Sequence, residues 1–214
     1  TAVGESEADL YLPQGSGEHP AVLFYMGVVP PNRDEKRIVA LGEALARSGV
    51  IVMIPWLRTQ AENKIIEGDI DSLVKAFEYL TTMNRVDSNR VGMSGICTGA
   101  SMLAVAAQDP RISSNIKFLN FFAGYYDATD LVQAVSSRTS FHGDKFRPWE
   151  PDKLTVSVLN QHLIEGVTDV HDRSILKRMF IDRENMSNVQ PIRLGSEGFA
   201  TYQLINGASL SKTN

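Results

Sequence analysis

The chain has 214 residues, 43% of them hydrophobic, which is enough apolar mass for one sizeable core with room for a cap. A formal net charge of -4 without any dense Lys/Arg run argues against a nucleic-acid surface. No apolar run approaches the roughly 20 residues needed to cross a bilayer, so neither nucleic acid nor a membrane is expected as a partner.

In chain order, Ala8 to Leu12 alternates weakly before Pro13, and the turn Gln14 to His19 leads into the apolar run Ala21 to Met26. These read as two neighbouring strands. From Asp34 to Arg47, Ile38, Val39, Leu41, Ala44 and Leu45 recur at helical spacing, with Asn32 or Asp34 as N-cap and Gly49 as the stop. Val50 to Ile54 is a fully apolar strand that Pro55 is expected to end. A helix from about Ile66 to Thr82 carries Ile66, Ile70, Leu73, Val74, Phe77 and Leu80 on one face. Asn89 to Met93 reads as a short strand, Thr98 to Gln108 as an alanine-rich helix, and Ile116 to Phe122 as one more strand closed by Ala123-Gly124.

After Asp127 the character changes. Tyr126 to Val135 reads as a helix, Ser136 to Glu150 as a polar, turn-rich stretch, Asp152 to Phe180 as two helices and Gly195 to Ile205 as a shorter one. The alternation before that point predicts an α/β fold with a mostly parallel sheet covered by helices on both faces. Right-handed crossovers then bring Met26-Gly27, Pro55-Trp56, Cys97 and Ala123-Gly124 to the strand C-termini, where open α/β sheets bind ligands. The expected division is a core over residues 1–135 and a helical, cap-like region over 136–214.

The stretch Gly95-Ile96-Cys97-Thr98-Gly99 lies between a strand and a helix and has the form of a nucleophile elbow, G-x-S-x-G, with cysteine in the serine position. Its glycines let the backbone turn sharply, so the central side chain stands at a helix N-terminus, whose positive end favours a thiolate. Cys97 is the only cysteine, so no intramolecular disulfide claims it. Ser94 is a poor rival, because Gly92-Met93-Ser94-Gly95-Ile96 breaks the glycine pattern and leaves the serine inside the strand.

Taken together, the strand Ala21 to Gly27, the strand ending Pro55-Trp56, the elbow Arg90 to Gly99 and the segment Phe122-Ala123-Gly124-Tyr125-Tyr126-Asp127 resemble an α/β-hydrolase, of the dienelactone-hydrolase-like group in particular. The resemblance covers roughly residues 8 to 130, and the helical remainder resembles the cap inserted after the sixth strand in some members. It implies hydrolysis of a small ester or lactone through an acyl-enzyme, with no cofactor. It also implies an acid after the seventh strand and a histidine after the eighth. Neither position is found before Asn214, so the chain is expected to be an incomplete α/β-hydrolase, either an N-terminal portion or a shortened relative. An incomplete sheet would leave an apolar edge, which makes a homodimer an expected assembly.

Cys97 is the expected nucleophile, with the Thr98 N–H as one oxyanion donor and a second donor from the backbone near Gly27 or Val28. The competing reading makes Cys97 a small apolar residue in a retained turn, and the chain a non-catalytic binding or interaction protein. Tyr25-Met26-Gly27 stands where many relatives have a His-Gly pair, which favours that alternative. Asp127 is read as the acid or as the cap of the following helix. Among the histidines, His19 reads as an exposed turn residue, His162 and His171 as helix surface residues, and His142 as the stand-in base against a plain loop histidine. His171 and Asp172 are adjacent on a helix and diverge, so no metal pair is expected there. Tyr25 and Trp56 at strand ends either line an apolar acyl site or pack the core. A start without a signal-peptide pattern makes the cytoplasm the expected location, and Thr1 suggests a trimmed N-terminus.

Overall fold

A computed structural model describes residues 7–28, 33–183 and 193–207. By its internal contacts the chain divides into two units, Thr1–Tyr126 and Asp127–Asn214. The first runs β1 (Glu7–Tyr11), β2 (His19–Tyr25), α1 (Lys36–Arg47), β3 (Ile51–Trp56), α2 (Arg58–Ala61), α3 (Gly68–Thr81), β4 (Val86–Ile96), α4 (Thr98–Ala106), a 3-10 turn at Ser113–Asn115, and β5 (Phe118–Phe122). Its sheet has the order β1-β3-β2-β4-β5, with β1 antiparallel to β3 and the other pairings parallel.

The alternation along β2 and β3 sorts their side chains between two cores, because successive residues of a strand point to opposite faces. Ala21, Leu23, Tyr25, Ile51 and Met53 pack with Leu73, Val74, Phe77 and Leu80 of α3 and Met102, Leu103 and Ala106 of α4. Val22, Phe24, Met26, Val52, Ile54 and Trp56 form the opposite face against Ile38 and Leu45 of α1. The fold is therefore α/β, with a mostly parallel sheet flanked by helices on both faces. Strand β5 differs: all five of its residues are exposed, Phe122 at 70%.

Several local expectations are corrected. The first two strands are not neighbours, since β3 lies between them; β1 is held there by its antiparallel ladder and by the Trp56 indole N–H donating to Asp9 at 2.7 Å. Burial pushes the Asp9 carboxyl up, but the hydrogen bonds from Arg33 and Trp56 outweigh it and hold the group below its ordinary value. Pro55 does not end β3; it pairs with Ala8, beyond the last β2 partner Met53, so its missing N–H leaves no β2 ladder bond unmade. The α1 cap is Glu35, whose carboxylate accepts from Arg37 N–H and Ile38 N–H, both at 3.1 Å, rather than Asp34; Asn32 lies outside the described residues. His19 is the half-buried first residue of β2, not an exposed turn residue, with Nδ1 3.2 Å from the Gly49 carbonyl oxygen.

The second unit holds α5 (Ala128–Ser137), β6 (Thr139–His142), β7 (Lys145–Pro148), α6 (Lys153–Glu165), α7 (Val170–Phe180) and α8 (Ser196–Ile205). Ile164, Val167 and Leu176 form its small core, with Phe180, Leu194, Tyr202 and Ile205 against them. Asp172 of α7 is buried and accepts Gly195 N–H at 2.9 Å, which sets a carboxylate against the positive N-terminus of α8. The stretch Ser136 to Glu150, read as polar and turn-rich, contains an antiparallel hairpin pairing Thr139 with Pro148 and His142 with Lys145. Gly143, at φ 60°, supplies the first position of its two-residue turn. The last helix of the expected core, α5, packs with β6 and α6 and belongs to this second unit. No helix among the described residues is long and apolar enough to cross a membrane.

Burial also makes one titration testable. Asp69, in the first turn of α3, is buried, and burial holds its carboxyl above the ordinary carboxylate value although it accepts Ile66 N–H. A folded-state pKa above the unfolded one means that the folded form binds the proton more tightly, so ionisation disfavours folding. Stability relative to Asp69→Asn is expected to fall as pH rises from the ordinary carboxylate value through the raised folded one, and to be level on either side. Urea unfolding of both proteins across that range measures the difference; a pH-independent gap would overturn the assignment.

Candidate active site

The elbow is built by three close backbone approaches. The last residues of β4 run beside β5, and Cys97 N–H donates to the Phe122 carbonyl at 2.9 Å, which carries the ladder up to the turn. The chain then enters α4 at Thr98, with the Cys97 carbonyl accepting Ala100 N–H at 3.0 Å. Cys97 itself has φ 57° and ψ -136°, a sparsely populated backbone conformation for a residue with a side chain. Gly95 and Gly99 make that turn possible. A Cβ on Gly95 would lie 2.7 Å from the Ala100 Cα, and one on Gly99 would lie 2.5 Å from the Gly27 nitrogen and against the Tyr25 carbonyl oxygen.

The loop after β2 is the third member. Gly27, at φ 72°, lies against the elbow: a Cβ there would meet the Gly99 nitrogen and come within 3.0 Å of the Thr98 carbonyl carbon. The thiol of Cys97 is exposed and lies 3.9 Å from the Thr98 hydroxyl. Thr98 begins α4, so its N–H has no intrahelical acceptor and is one of the free donors at a helix start. Ser101, one turn on, accepts Tyr125 N–H at 2.9 Å and donates to the Tyr125 carbonyl at 2.7 Å, clamping the segment after β5 over the start of α4. Burial raises the Tyr125 hydroxyl above its ordinary pKa, and the electrostatic effect of the nearby Cys97 adds to that rise.

Of the residues singled out in the sequence, Cys97, Thr98 and Gly27 are in contact, and Val28 follows directly in the same buried loop. Tyr25, 1% exposed, lies in the core beneath them; burial and the Asp69 carboxylate push its hydroxyl well above the ordinary range. Trp56, 7% exposed, packs on the opposite face and spends its N–H on Asp9. His19 is the first unit's only histidine, and it stands at the start of β2, a strand of seven residues and so roughly 20 Å long, whose other end leads to the elbow.

Asp127 and His142 belong to the second unit. Asp127 caps α5, its Oδ1 accepting Thr129 N–H at 2.7 Å and Asp130 N–H at 3.3 Å. His142 is exposed at the end of β6, with Nε2 3.3 Å from the Ser140 hydroxyl. The cap gives a direct prediction: Asp127→Ala costs about 1 kcal/mol in thermal or urea unfolding, while Asp127→Asn, an equally good cap, changes stability by only a few tenths. Equal losses for both would show that the carboxylate charge, not the cap, is what the fold uses. No group of three His, Cys, Asp or Glu side chains that could hold a metal ion occurs among the described residues.

No family model and no curated protein matches this chain. Among solved structures it is similar to Est1E from Butyrivibrio proteoclasticus with ferulic acid bound, at 18% identity and a TM-score of 0.48, over 67% of this chain and 57% of that one. It is also similar to Thermogutta terrifontis esterase 2 phosphonylated by sarin, at 18% identity and a TM-score of 0.44, over 56% of this chain and 50% of that one. A third similar structure is the hypothetical protein PA2218 from Pseudomonas aeruginosa, at 19% identity and a TM-score of 0.45, over 62% of this chain and 41% of that one. The chain thus matches only about half the length of these solved structures.

Proposed function

We propose that this chain carries the nucleophile of a cysteine-dependent hydrolase acting on a small ester or lactone, in the manner of the dienelactone-hydrolase-like enzymes that its sequence resembles. The observation that carries the reading is the backbone of Cys97, held at φ 57° between two glycines that tolerate no side chain. Such a conformation costs on the order of 1–3 kcal/mol, and a residue with a side chain is kept there where exposing that side chain serves a purpose. The position is exposed, at the start of a helix, with backbone donors beside it.

In the proposed reaction, Cys97 Sγ forms a bond to the carbonyl carbon, and the carbonyl electron pair moves onto oxygen, where Thr98 N–H and Val28 N–H receive it. Collapse breaks the carbon–oxygen bond to the leaving alkoxide, which takes the thiol proton. Water then cleaves the thioester, releasing the carboxylic acid and returning a proton to Sγ. The non-catalytic alternative is favoured by one feature: Tyr25-Met26-Gly27 stands where many relatives of the resembled family have a His-Gly pair.

Incubation with para-nitrophenyl acetate followed by intact-mass analysis separates the two readings. The hydrolase reading expects one acetyl group on Cys97, absent from Cys97→Ala. Alkylation of Cys97 by iodoacetamide with no acylation by the ester would overturn the acyl-transfer reading.

A further inference from the structure

We propose that Gln60 is a positioning residue for acyl transfer, fixing the direction in which the Val28 N–H faces the oxyanion; the proposal rests on the acyl-transfer reading of Cys97. Gln60 belongs to the short helix after β3 and is 1% exposed. Its Nε2 donates to the Gly27 carbonyl oxygen at 2.6 Å, across 33 residues of sequence, and its Oε1 accepts Leu57 N–H at 2.9 Å. The two partners fix the amide's orientation, since a flipped side chain would set oxygen against oxygen and N–H against N–H.

That orientation matters because a trans peptide is planar, with its C=O and N–H pointing in opposite directions. The carbonyl held by Gln60 and the N–H of Val28 belong to the same peptide unit. Anchoring one on a buried amide therefore turns the other away from Gln60. Gly27 at φ 72° has no Cβ to restrict this peptide, and the loop lies directly against Thr98 and Gly99. Glycine alone would leave the peptide free to rotate, and oxyanion stabilisation depends on donors already aimed before charge develops. Gln60 supplies that aim from outside the reacting shell.

The test compares two reactions of Cys97 in the 214-residue chain. Acylation by para-nitrophenyl acetate passes through an oxyanion, whereas alkylation by iodoacetamide does not. Gln60→Met is expected to slow acylation by about 10- to 100-fold, less than or equal to the loss of a whole oxyanion donor, with the alkylation rate unchanged. Gln60→Glu provides a second readout: its ionised form cannot donate to Gly27, and its protonated form can. The ratio of acylation to alkylation, which cancels the thiolate fraction, should recover towards the wild-type ratio as pH falls. Wild-type acylation with an unaltered ratio in both variants would overturn the role of Gln60 while leaving the hydrolase reading intact. An equal fall in both reactions would make Gln60 merely structural and overturn it too. A wild-type chain that is alkylated but never acylated would sink the hydrolase reading, and this proposal with it.

Discussion

Gly99→Ala is expected to destabilise the first unit by about 3 kcal/mol or more, at the upper end of what overpacking costs. The methyl group would fall 2.5 Å from the Gly27 nitrogen, 2.8 Å from the Met26 carbonyl carbon and against the Tyr25 carbonyl oxygen. All three are backbone atoms at the end of the central strand β2, so no side-chain rotation relieves the clash. Either α4 must move away from the sheet, opening the core around Met102 and Leu103, or the loop at Gly27 must leave the elbow. Urea unfolding checks the size of the loss. Gly15→Ala serves as the comparison, since nothing lies within 4 Å of a Cβ there and only its φ of 91° is strained. Equal losses at the two positions would show that crowding at the elbow contributes nothing.

Cys97→Gly is expected to do the opposite to stability while abolishing ester acylation entirely. Glycine adopts φ 57° without the steric penalty that Cys97 bears, a relief on the order of 1–3 kcal/mol. The greater freedom of glycine in the unfolded chain offsets about 0.5–1 kcal/mol of it. The expected net gain is about 1 kcal/mol, whereas Cys97→Ala keeps the backbone penalty and gains nothing. Unfolding of the three proteins, together with intact-mass analysis after para-nitrophenyl acetate, measures both halves. If glycine proved less stable than alanine by the full offset of about 0.5–1 kcal/mol, the turn would carry no strain, and the main support for a functional Cys97 would go. The substitution is thus a direct measure of what the fold gives up to present a thiol.

The alternation of strands and helices is legible in the amino-acid sequence, because near-continuous apolar runs such as Ile51 to Ile54 and helical stripes such as Leu73, Val74, Phe77 and Leu80 are local patterns. The sequence also marks the elbow, since Gly95 and Gly99 are needed for reasons of backbone geometry that their spacing around Cys97 exposes. The hairpin Thr139–Pro148 has a local signal of its own: Gly143-Asp144 as a two-residue turn, with Phe141 and Phe146 at matched positions whose rings meet edge to face at 5.6 Å. Its strands are four residues each and mostly exposed, so no apolar run announced them.

Which residues from distant segments meet emerges from the packed chain and not from any local pattern. The sheet order placed β3 between β1 and β2, and the bond from Trp56 to Asp9 spans 47 positions that no local pattern connects. The same holds for Gln60 and Gly27, and for Ser101 and Tyr125. A buried glutamine looks like any surface glutamine in a sequence, because its partners are backbone atoms, which carry no residue-type signal. Periodicity reports which face of an element is apolar; it cannot report which backbone groups that face will find opposite it.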